Sequence, residues 1–95
     1  MSGSRLHTIE DWVERGQRAR YHSAELAVQC QISLSHLGRF FRTYFYRPPQ
    51  HWLDELRICD STELLVQGRT VKETAFMLSY FDPSHFSHTF KNYYG

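Results

Sequence analysis

Apolar residues recur along this chain at spacings of three and four, and no segment alternates with period two for long enough to make a convincing strand. Leu6, Ile9, Trp12 and Val13 form a first stripe, introduced by Thr8 and Asp11 in the spacing of a capping box, and predict a helix ending near Tyr21. A short helix over about residues 23–30 turns Leu26 and Ala27 inward. After a turn at Gln31 and Ile32, Ser33 is a suitable N-cap for a helix whose Leu34, Leu37, Phe41 and Phe45 share one face. Pro48 and Pro49 stop that helix and open the next, because proline is tolerated in a first turn and not in a helix interior. Trp52, Leu53, Leu56, Leu64 and Leu65 mark a long helix, with Gly68 as its C-terminal cap. Thr70 and Glu73 form a capping box for a short helix carrying Val71, Ala75 and Leu78. Asp82 followed by Pro83 starts a last helix with Phe86, Phe90, Tyr93 and Tyr94 on its apolar stripe. The expected fold is all-α, about six helices without a sheet.

The later part of the chain repeats the earlier part. Glu25 and Ala27 match Glu73 and Ala75 at an offset of 48, whereas Ser35, His36, Leu37, Phe41 and Arg42 match Ser84, His85, Phe86, Phe90 and Lys91 at an offset of 49. The extra residue falls in the turn between a short and a longer helix, where insertions are tolerated best. Two copies of this arrangement make two tandem helix-turn-helix units of the homeodomain-like, three-helix type. The boundaries expected are residues 5–47 for the first unit, 48–68 for a linker helix and 69–95 for the second unit. The linker would reach about 28 Å at 1.5 Å per residue. That is the scale needed to carry two helices about one DNA turn, roughly 34 Å, apart.

The 95 residues carry a formal charge of only +1, but the charge is unevenly spread. Residues 26–53 contain no acid and include Arg39, Arg42 and Arg47; acids cluster over residues 54–73; none follows Asp82. Acid-free stretches give a nearly neutral protein a local positive face. No apolar run approaches the roughly 20 residues of a membrane span, and residues 1–7 lack a signal-peptide core, so no membrane partner and a cytoplasmic location are expected. Cys30 and Cys59, without a C-x-x-C pair, are expected to be reduced and partly buried.

Leu26-Ala27, Ile32-Ser33 and Leu37-x-Arg39-x-Phe41-Arg42 resemble the first unit of the AraC/XylS family of bacterial regulators. Pro49, Trp52-Leu53, Arg57 and Leu64-Leu65 are similar to its linker helix. Val71, Glu73, Ala75, Tyr80, Asp82, Ser84, Phe86, Ser87, Phe90, Lys91 and Gly95 resemble its second unit. The resemblance covers about residues 22–95. The chain departs from the family pattern where it has Gln31, Tyr46 and Ser79 in place of glycines, Ser61 in place of an alanine and His88 in place of an arginine. If those three backbones need positive φ, each non-glycine side chain costs on the order of 1 kcal/mol.

The resemblance implies sequence-specific binding of double-stranded DNA through two recognition helices in successive major grooves, regulating transcription. In the first helix the DNA-facing candidates are Ser33, Ser35, His36, Gly38, Arg39, Arg42, Thr43 and Arg47. Arg39 suits a bidentate contact to guanine, while Arg42 suits a phosphate. In the second they are Ser84, His85, Ser87, His88 and Lys91, mostly short side chains that imply weaker or water-mediated reading. RNA polymerase and an effector or dimerisation domain outside this chain are the further partners the resemblance allows. The alternative is a degenerate helix-turn-helix module that binds protein, which the low net charge and the missing glycines favour.

His85 and His88 have zinc-compatible spacing but lack a second ligand pair, so two polar surface residues is the better reading and no metal is expected. No nucleophile–base spacing or phosphate-cradling glycine loop is present, so neither catalysis nor a cofactor is expected. Thr70 and Asp82 are read as caps, Trp12 and Trp52 as core, and the run Tyr44, Phe45 and Tyr46 as packing.

Overall fold

The computed structural model describes residues 6 and 8–95, and its described elements are all helical. In chain order they are α1 (Trp12–Arg18), α2 (Ser23–Gln29), α3 (Leu34–Tyr44), α4 (Pro49–Val66), α5 (Val71–Met77) and α6 (Pro83–Tyr94). The chain divides into two compact units, Met1–Leu56 and Arg57–Gly95, so the division falls inside α4. Residue 5, where the first unit was expected to begin, lies outside the described residues.

In the first unit Leu6, Leu26, Leu37, Phe41 and Leu53 are fully buried and Trp12 nearly so. Trp12 meets the Phe41 ring edge-on at 5.0 Å, and Phe41 lies 4.7 Å from Phe45 and 5.5 Å from Trp52. Such tilted and edge-on pairs add to the burial of large apolar surfaces. Gly16 brings α1 close to the first turns of α4: a Cβ there would stand 2.9 Å from Leu53 Cδ2 and 3.0 Å from Leu56 Cδ2. Gln50 ties the segment before α2 to α4. Its Oε1 accepts from the Ser23 amide at 2.9 Å, and its Nε2 donates to the Tyr21 carbonyl at 2.8 Å and to Asp54 Oδ1 at 2.9 Å.

The first helix departs from expectation at both ends. It starts at Trp12, with Asp11 at the N-cap position, so Thr8 is not its cap. The Asp11 carboxylate caps no amide and accepts instead from Arg15 Nε at 2.9 Å. That ion pair competes with capping for the same oxygens. The helix ends at Arg18 because Arg20 and Tyr21 both have positive φ. Val13, expected on the apolar stripe, is 42% exposed.

In the second unit Ile58, Ser61, Thr74, Ala75 and Phe86 are buried, with Leu78 and Tyr80 nearly so. The Ser61 hydroxyl donates to the Ile58 carbonyl, which satisfies a hydroxyl in a buried position. Arg57 Nε donates to the Leu78 carbonyl at 2.9 Å, and its guanidinium lies over the Tyr80 ring. Gly68, at φ +96°, closes α4: its amide donates to Leu65 and that of Arg69 to Leu64, the paired bonds of a Schellman turn. Val71 faces solvent and does not join Ala75 and Leu78 inside. Among the described residues no helix is long and apolar enough to cross a membrane. Both cysteines are free; Cys30 is buried, but Cys59 is exposed rather than partly buried.

Candidate nucleic-acid interface

Both units present the same turn. α2 ends where Gln31 takes φ +59°, with the Gln31 amide donating to Val28 and the Ile32 amide to Ala27. α5 ends where Ser79 takes φ +63°, with the Ser79 amide donating to Phe76 and the Tyr80 amide to Ala75. From Gln31 one residue intervenes before the Ser33 N-cap; from Ser79 two intervene before the Asp82 N-cap. The extra residue is therefore Phe81, and its side chain is 89% exposed. Tyr46 also has positive φ, at +60°, so all three positions singled out as glycine-like are left-handed.

The helix after each turn is started by its cap. Ser33 Oγ accepts from the His36 amide at 3.0 Å, and Asp82 Oδ1 accepts from the His85 amide at 2.7 Å with Pro83 next to it. α3 buries Leu37, Phe40 and Phe41. Phe40 was missing from the expected stripe, and Leu34, which was on it, is 49% exposed. Leu34 sits a full turn before Leu37, past the edge of the core, whereas Phe40 lies between Leu37 and Phe41 on the same face. α6 buries Phe86 alone; Phe90 is partly covered, and Tyr93 and Tyr94 are exposed.

On α3, Ser35, Arg39, Arg42 and Thr43 are exposed, His36 is half-buried and Gly38 is buried. The Thr43 hydroxyl donates to the Arg39 carbonyl at 2.9 Å, so it is tied to its own helix. Arg47, which follows α3, is half-buried and paired with Glu55. Among the described residues Arg39 and Arg42 make no ion pair, which distinguishes them from Arg47. Ser35, Arg39 and Arg42 line an open concavity of about 480 Å³ together with Ser23, Pro49 and Gln50. On α6, Ser84, His85, Ser87, His88 and Lys91 are all exposed. The His85 ring meets the Tyr80 ring edge-on at 5.5 Å. No group of three or more potential metal ligands comes together among the described residues.

The expectation that Tyr44, Phe45 and Tyr46 serve packing holds for Phe45 and for half-exposed Tyr44, whose ring lies 4.7 Å from that of Phe40, while Tyr46 is 85% exposed. The left-handed backbone at Tyr46 takes its side chain off the face shared by Phe41 and Phe45. Gln50 and the Arg57–Tyr80 stack were not assigned a role from the sequence. Neither lies on an apolar periodicity, and the contacts that give each its role, Gln50 with Tyr21 and Ser23 and Arg57 with Leu78 and Tyr80, reach across more than 20 residues.

A family described as a helix-turn-helix domain matches residues 26–95. Among curated proteins the chain is similar to the uncharacterized HTH-type transcriptional regulator YidL of Escherichia coli, at 34% identity over 77 residues. The aligned stretch covers 80% of this chain and 26% of that relative, so the chain spans about a quarter of the relative's length. No solved structure matches the chain. The repeated turn, the capped helix after it and the match over residues 26–95 place the chain in the AraC/XylS-type helix-turn-helix family of transcriptional regulators.

Proposed function

We propose that the protein regulates transcription by binding specific sequences in double-stranded DNA, with α3 and α6 entering successive major grooves. The observation that carries this reading is the twice-built unit: the same left-handed turn, at Gln31 and at Ser79, delivers a capped helix whose outward face is acid-free and polar. A recognition helix needs donors for base edges and cations for phosphates on the face that leaves the core. On α3 those groups are Ser35, Arg39 and Arg42; on α6 they are Ser84, Ser87, His88 and Lys91. Arg39 reads guanine through its fork, and the shorter α6 side chains discriminate less. Residues 5–47 and 69–95 act as the two readers and residues 48–68 as the linker. The protein acts in the cytoplasm, without catalysis, and RNA polymerase and an effector or dimerisation domain outside this chain are its further partners. The similarity to a transcriptional regulator supports this reading.

A second reading, a protein-binding module on the same fold, is favoured by Val66, Phe76 and Phe81, each more than 80% exposed in the second unit. Selection of random duplexes by the purified chain at two salt concentrations separates the two. Retention of a motif with half-sites about 10 base pairs apart, weakening steeply with salt, is the outcome expected for a bipartite DNA reader. A single short block would restrict sequence reading to α3. A folded chain that retains no duplex at low salt would leave the protein-binding reading standing.

A further inference from the structure

Gly38 stands in the middle of α3, where glycine weakens a helix because it has the most conformational freedom to lose. At Gly16 close packing accounts for the glycine: leucine side chains of α4 occupy the space a Cβ would need. At Gly38, among the described residues, the atoms nearest that space belong to no neighbouring helix. The atoms that a Cβ would meet within 4 Å belong to Arg42, with Nη1 at 3.1 Å, Cζ at 3.8 Å and Nη2 at 4.0 Å. The Arg42 guanidinium thus lies back along the helix, its Nη1 leading into the space left open by the missing Cβ one turn earlier. There it forms part of the wall of the concavity that Ser35, Arg39 and Gln50 also line. In the second unit the matching residues are Ser87 and Lys91, so that copy has a side chain where this one has none.

We infer that Gly38 is a positioning residue: it leaves open the space into which the Arg42 guanidinium folds back in the concavity beside Arg39, as a seat for a phosphodiester oxygen of duplex DNA. The inference rests on the reading of the chain as a duplex binder and goes beyond it by giving Gly38 a role exerted through Arg42. Adding a methyl at residue 38 moves the guanidinium, because at 3.1 Å the flexible side chain yields more readily than the helix does. The helix itself gains from the same change. Folding stability and DNA affinity should therefore move in opposite directions.

The test is a double-mutant cycle on duplex affinity measured over a range of salt concentrations, with thermal melting of each protein. Arg42→Ala is expected to weaken binding about tenfold and to lower the salt slope by about one counterion. Gly38→Ala is expected to give a similar loss of affinity and slope while its Tm rises by a few degrees. Combining the two should weaken binding no further than Arg42→Ala alone. A Gly38→Ala protein that binds as the unsubstituted chain does, or whose loss adds in full to that of Arg42→Ala, would overturn the inference while leaving DNA binding intact. An unsubstituted chain that binds no duplex at low salt would sink both.

Discussion

The Arg57 guanidinium carbon lies 3.8 Å from the centre of the Tyr80 ring, and the same side chain donates from Nε to the Leu78 carbonyl. Tyr80 is the first residue after the left-handed turn that ends α5, so this one arginine fastens the second turn from both sides. Replacing it with alanine is expected to lower stability by about 1–2 kcal/mol, the combined scale of a partly desolvated cation–π contact and one hydrogen bond. Lysine should restore little, having no planar fork to stack and donate together. Urea unfolding of the three proteins would decide this, and equal stability for all of them would dismiss the clamp.

Gln31, Tyr46 and Ser79 hold side chains in backbone conformations that suit glycine. Glycine at each is expected to raise stability by roughly 0.5–1 kcal/mol, the relief of strain exceeding the added freedom of the unfolded chain. Gly68, at φ +96° in open space, should behave in the opposite way, losing about 1 kcal/mol on substitution by alanine. Thermal melts of the four single variants would reveal whether the signs are opposed. The same sign at Ser79 and Gly68 would contradict the argument.

Acid should loosen the start of α5. The Thr70 backbone amide donates to the Glu73 carboxylate, which holds it below the ordinary glutamate range. A group with a lowered native pKa stabilises the fold above its unfolded value, near pH 4, and that contribution disappears as pH falls through the lower folded value. The Arg15 guanidinium lowers the Asp11 carboxyl in the same sense in the first unit. Stability of Glu73→Gln should therefore fall below that of the unsubstituted protein at neutral pH and converge with it in acid. Thr70→Ala, which removes the other half of the box, should cost about 1 kcal/mol. Unfolding midpoints between pH 3 and 7 provide the check, and a constant gap between Glu73→Gln and the parent across that range would refute it.

Arg39 and Lys91 should fail differently as DNA readers. Arg39→Ala is expected to relax preference at one base pair and to cost about 1–3 kcal/mol on the selected site. Lys91→Ala should weaken all duplexes alike and lower the salt slope by about one. Binding to the selected site and to single-base variants of it would separate the two outcomes. An Arg39→Ala protein with unchanged site preference would remove this residue from the reading face.

Most of the helices were legible because their ends carry chemistry that local sequence exposes. Thr70 with Glu73, Asp82 with Pro83, and Gly68 each signal a boundary through residues within one turn. Thr8 and Asp11 carry a similar signal, yet the box did not form: the helix starts after Asp11, whose carboxylate accepts from Arg15 and caps no amide. The polar face of α3 could be drawn from periodicity, but whether each cation on it was available depended on neighbours distant in sequence. Arg47, just past α3, pairs with Glu55 eight residues away, while among the described residues Arg39 and Arg42 make no ion pair. Gln50 shows the same limit, since its contacts with Tyr21 and Ser23 reach across more than 25 residues.

Phe81 also governs how the two halves of the molecule can be compared. One residue on a helix is a rotation of about 100°. If the halves are superposed in a single frame set by Glu25 and Glu73, Phe90 falls on Arg42, and an inward ring is equated with an outward cation. Opening a gap at Phe81 returns Phe90 to Phe41 and Phe86 to Leu37. A single position outside both helices thus lets the two units differ in length while each keeps its inner and outer faces in phase.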